Sequence, residues 1–115
     1  MSSWVSYHFE HLRRWREYAE KIAKAAESIL GDVEVYVIGG VAEGRTTVLS
    51  DIDILVIAKR VSTDERKALY ADILEKAIDE YGLPWDAPVE LHIVDEREAR
   101  EYLKRAGRSV RVRAV

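Results

Sequence analysis

The chain has 115 residues, of which 18 are Lys or Arg and 21 are Asp or Glu, for a formal net charge of −3. That length reads as one small domain, 1–115, with a single core, and the dispersed, nearly balanced charge gives no basic footprint of the kind that holds duplex nucleic acid. Cysteine is absent, which excludes disulfides, thiolate nucleophiles and Cys-type zinc and leaves oxygen or imidazole as the available metal ligands.

The lack of Asn and Gln, the single Met and the 34% charged content match the residue economy of a hyperthermophile. No apolar run approaches the roughly 20 residues of a membrane span, and no signal-peptide pattern opens the chain, so a cytoplasmic location with no membrane partner is expected.

In chain order, Phe9, Leu12, Trp15, Tyr18, Ile22, Ala26 and Ile29 recur at spacings of three and four before Gly31. This predicts one long amphipathic helix over 4–30. His8 and His11, flanking Glu10, read as part of its solvated face. A first strand is expected over Val33 to Ile38 and a second over Ile52 to Ile57, joined by a polar loop from Gly39 to Ser50. Ser62 with Glu65 forms a capping-box signature for a helix ended by Gly82 and Pro84. Val89 to Val94 reads as a third strand, Asp95 with Glu98 opens a last helix to about Arg105, and the tail alternating Val110, Arg111, Val112 and Arg113 reads as a short edge strand or a frayed end. The order α, β, β, α, β, α predicts an α/β (α+β) domain, a small mixed sheet flanked by helices.

The stretch GGVAEGRTTVLSDIDILVIAKR, residues 39 to 60, carries the chemistry. Strand side chains alternate faces, so Asp51 and Asp53 are expected to point the same way while Ile52, Ile54 and Val56 supply burial on the other. Two carboxylates held this close repel each other unless a cation lies between them, and oxygen ligands favour Mg²⁺. Glu90 and His92 share a face of the third strand, and Glu90 would complete an Asp, Asp, Glu cluster if that strand lies beside the second. Gly39 and Gly40 allow a sharp turn with backbone N–H groups free to meet phosphate oxygens.

Gly39-Gly40, ten intervening residues, Asp51-Ile52-Asp53 and later Val89-Glu90-Leu91 together resemble the signature of the DNA polymerase β type nucleotidyltransferase superfamily. The short length resembles its minimal nucleotidyltransferase branch. The resemblance implies a polymerase β-like fold and Mg²⁺-dependent transfer of NMP from an NTP substrate, such as ATP, to a hydroxyl. It also implies that Asp51, Asp53 and Glu90 are the catalytic and metal-binding carboxylates and that Gly39 and Gly40 contact the triphosphate. Many members have Ser at the position of Gly40 and a basic residue at that of Glu43; Arg45 and Ser50 are the nucleotide-binding residues expected to compensate. A chain this short must share its acceptor site, with a homodimer partner or a second protein. Minimal members are frequently encoded beside a HEPN-type toxin, and some adenylylate a tyrosine on it as antitoxins. The alternative is a non-catalytic nucleotide-binding or partner-binding module of the same fold.

Overall fold

The computed structural model describes residues 3–47, 50–59 and 61–114. The elements are α1 (Ser3–Arg13), α2 (Trp15–Leu30), β1 (Val33–Ile38), α3 (Gly39–Ala42), β2 (Ile52–Ala58), α4 (Thr63–Tyr81), β3 (Val89–Val94), α5 (Glu96–Arg105) and β4 (Val110–Val112). The strands form one sheet in the order β3-β2-β1-β4. β1 runs antiparallel to β2 and to β4, whereas β2 and β3 are parallel. A parallel pair requires a crossover between its strands, and α4 supplies it. The tail is thus an edge strand.

The expected long first helix is two helices. At Arg14 the backbone leaves helical geometry (φ −90°, ψ 18°), and its amide donates to the His11 carbonyl at 3.1 Å, a tighter turn than the α-helical one. No Gly or Pro marks the break. What accompanies it is tertiary: His11 is buried against Tyr18, with Nδ1 2.6 Å from the tyrosine hydroxyl. This corrects the solvated-face reading for His11. A buried hydroxyl and a buried imidazole each need a partner; these two pair through Nδ1, while His11 Nε2 has no hydrogen-bond partner and lies 3.6 Å from Asp86 Oδ1.

Burial explains the sheet. Val35, Val37, Ile52, Ile54, Val56, Leu91 and Ile93 pack with Tyr18, Ile22, Ala26, Ile73 and Ala77 in the main core, on the face covered by α2 and α4. On the opposite face Leu55, Ile57 and Val94 pack with Ala99 and Leu103 of α5. β2 is therefore buried on both sides along most of its length, which suits a near-continuous run of Ile, Leu and Val. Near its start Asp53 is only partly buried.

The expected capping box at Ser62 is present, and a second one opens α5 at the helix start expected from Asp95 and Glu98. The Ser62 hydroxyl accepts from the Glu65 amide at 3.3 Å, and the Asp95 carboxylate accepts from the Glu98 amide at 2.8 Å. Glu98 also takes both arms of the Arg66 guanidinium, one at 2.8 Å, tying the start of α5 to the start of α4. That guanidinium, aided by the Asp95 backbone amide and opposed by burial, holds the Glu98 carboxyl at about 2, against an ordinary 4.5. A carboxyl depressed on folding adds stability that is present above the unfolded value and lost as pH falls through the folded one. Glu98→Gln is therefore expected to flatten the fall in melting temperature between pH 4.5 and about 2, read by circular dichroism. With the Glu98 side chain 39% exposed, solvent screening keeps the effect modest. An identical acid limb in the variant would show that the pair contributes nothing.

Candidate active site

The fold positions the site through strand register. In the parallel pair Asp53 stands opposite Glu90, and Leu55 opposite His92; in the antiparallel pair Ile38, the last residue of β1, stands opposite Asp53. The chain leaving β1 must therefore turn directly over the Asp53 carboxylate. That turn is Gly39, with φ +77°. A Cβ added there would lie 2.7 Å from Asp53 Oδ2. Both the left-handed backbone and the space demand glycine.

On its other side the carboxylate meets histidine: His92 Nε2 is 3.2 Å from Asp53 Oδ1. The imidazole is partly buried, and its ring lies 5.6 Å from that of Tyr102 on α5. Asp53, Glu90 and His92 each offer a ligand atom within 4.8 Å of the others. Two carboxylates and an imidazole at this separation suit a divalent cation, which would also relieve the repulsion between the acids. His92 is the member that sequence reasoning left out of the site. The signal was its parity with Glu90 on β3.

Asp51 lies one residue before β2, exposed, and outside that group of three. Ser50, next to it, is held in place. Its hydroxyl accepts from the Thr47 amide at 2.8 Å, its amide donates to the Thr47 carbonyl at 3.1 Å, and its carbonyl is 2.9 Å from His8 Nε2. His8 is thus a brace from α1 onto the segment that carries Asp51. Like His11, it departs from the solvated-face reading.

The departures from the family's common pattern have local reasons. The Arg45 amide donates to the Gly40 carbonyl at 2.7 Å, and a Cβ at Gly40 would come within 2.5 Å of the Arg45 carbonyl oxygen. The loop closes too tightly over residue 40 for a serine. Glu43 is paired with Arg45 Nη2 at 2.8 Å, so the acid beside the glycine turn carries its own counter-charge. Gly39 opens the short helix α3, whose first N–H groups have no acceptor within the helix.

The family model for the nucleotidyltransferase domain matches residues 19–109, which include every residue of this cluster. The chain belongs to that family. Among solved structures, this nucleotidyltransferase is similar to a protein of Sulfolobus solfataricus described as a candidate nucleotidyltransferase, with 23% identity, a TM-score of 0.64, and coverage of 90% of this chain and 84% of that one. A second, likewise described, has 23% identity, a TM-score of 0.52, and coverage of 77% and 90%. These likenesses establish the fold expected from the order of elements. No curated protein matches the chain in sequence. Among the described residues no helix is long and apolar enough to cross a membrane.

Proposed function

We propose that residues 1–115 form one nucleotidyltransferase domain that transfers an adenylyl group from ATP to a hydroxyl on a protein partner. The observation that carries the reading is the juxtaposition of Asp53 and Glu90 in register beneath the Gly39 turn. Asp51, Asp53 and Glu90 would hold a divalent cation, and the backbone of Gly39 and Gly40 would receive the triphosphate, flanked by Arg45 and Ser50. When bound, such an ion offsets the charge of the phosphates and of the departing pyrophosphate. The acceptor oxygen forms a bond to the α-phosphorus, the bond from that phosphorus to pyrophosphate breaks, and Glu90 takes the acceptor's proton.

A protein acceptor is supported by the surface beside the site. Trp4, Tyr7 and Trp85 are 62%, 54% and 83% exposed. Aromatic rings are enriched at interaction surfaces relative to the rest of a protein's exterior. Tyr7 is tied to the 83–88 turn through Asp86 at 2.6 Å, and Trp4 stacks on His8, the brace to Ser50. By family resemblance the partner is a HEPN-type toxin and the acceptor one of its tyrosines, with a second copy of this chain as the other candidate.

The test is incubation with ATP labelled at the α-phosphate and, in parallel, at the γ-phosphate, with and without a HEPN-type protein. Label from the α position alone, fixed on a tyrosine of the added protein, supports the proposal. Transfer from the γ position, or tight ATP binding with no label on any polypeptide, would overturn it, the latter in favour of a non-catalytic binding module.

A further inference from the structure

We infer that His92 is a direct ligand of the ion held at Asp53 and Glu90, and that this site therefore favours a first-row transition-metal ion over Mg²⁺. The inference rests on the proposed function for the existence of an ion site and adds the identity of a ligand and the class of ion. An all-carboxylate set is hard and suits Mg²⁺; an imidazole nitrogen shifts preference toward ions such as Co²⁺ and Zn²⁺.

Three observations carry it. His92 is on the face of β3 that carries Glu90, one strand over from Asp53, so both carboxylates and the ring converge without any change of backbone. The 3.2 Å between His92 Nε2 and Asp53 Oδ1 is close to the about 3 Å that separates neighbouring ligand atoms around an octahedral ion with bonds of roughly 2.1 Å. The ring is also pre-positioned, partly buried and set against Tyr102, whereas Glu90 is exposed and able to swing onto an ion. Ligation needs the neutral ring with its proton on Nδ1, leaving the Nε2 lone pair toward Asp53. The other two imidazoles of the chain are committed elsewhere, His8 to the Ser50 carbonyl and His11 to Tyr18.

The experiment loads the purified full chain with Mn²⁺ in the presence of inorganic tripolyphosphate, which mimics the nucleotide tail and contains no nitrogen. Pulsed electron paramagnetic resonance then reads ¹⁴N coupling on the bound ion. The expected result is imidazole modulation in the native protein and its loss in His92→Gln, whose amide oxygen replaces nitrogen with a hard donor. Calorimetry should show Co²⁺ binding more tightly than Mg²⁺, with that advantage falling in His92→Gln by on the order of 10- to 100-fold, the size recorded even for partners that only orient a ligand. Mg²⁺ binding should survive in the variant. Bound Mn²⁺ with no nitrogen coupling, or a Co²⁺ advantage unchanged by His92→Gln, would overturn the assignment and reduce His92 to a hydrogen-bond donor that orients Asp53. In that case Mg²⁺ binding that still depends on Asp53 leaves the proposed function standing. Failure of the native protein to bind any of the three ions would remove both.

Discussion

Asp53→Ala is expected to abolish nucleotidyl transfer while leaving the fold at least as stable as before. Asp53 is the one carboxylate that touches every part of the site: its Oδ2 lies under the Gly39 turn, its Oδ1 faces His92, and its strand position faces Glu90. Loss of a carboxylate that holds a catalytic ion typically removes several kcal/mol of transition-state stabilisation, and about 4 kcal/mol is a thousandfold in rate. Stability should move the other way. Asp53 and Glu90 are like charges facing each other on neighbouring strands, and relief of that destabilising pairing offsets the loss of the part-exposed contact between Asp53 and His92. In metal-free buffer the variant's melting temperature is therefore expected to stay level or rise by a few degrees. A labelled-nucleotide transfer assay and a thermal melt on the same preparation decide the matter. A large fall in melting temperature would recast Asp53 as a structural residue, and retained transfer would remove it from the reaction.

The contrast between stability and activity at Asp53 explains why parts of this structure were legible in the sequence and others were not. Where one residue type answers to one local requirement, the reading held. Ser62 with Glu65 and Asp95 with Glu98 form the two reciprocal caps, Gly82 ends α4 in a left-handed conformation, and the alternation in β2 separates Asp53 from Ile52 and Ile54. Those choices are made within a few residues. Long-range decisions left weaker marks. The stripe of Phe9, Leu12, Trp15 and Tyr18 runs through Arg14 without interruption, so nothing local announced that the helix breaks there and that His11 turns inward onto Tyr18. The adjacency of Asp53 and Glu90 needed β2 and β3 to be parallel and in register, which the α4 crossover permits but no single residue encodes. His92 was legible as a neighbour of Glu90, and its approach to Asp53 followed only from that register. Arg45, expected from sequence to meet the nucleotide, is also committed to Glu43, a pairing that the polarity of the loop left open.

Gly39 allows the backbone and the chemistry of the site to be separated by experiment. Gly39→Ala is expected to lose stability for a backbone reason and activity for a steric one. A left-handed conformation costs an L-residue roughly 1–2 kcal/mol, about 5–10 °C of melting temperature for a chain of this size. The added methyl, 2.7 Å from Asp53 Oδ2, must also push the carboxylate away from the turn, and a displacement near 1 Å at a catalytic group costs about a hundredfold in rate. Gly31 supplies the control. Its φ of +80° is nearly the same, but nothing lies within 4 Å of an added Cβ. With ψ at −117° it lies outside the left-handed helical region, so Gly31→Ala should incur a backbone penalty of its own and still transfer nucleotide at the native rate per folded molecule. Equal losses of activity in the two variants would mean that stability alone limits turnover. If Gly39→Ala alone is inactive at a temperature where both remain folded, the contact between the turn and the Asp53 carboxylate is part of the catalytic geometry.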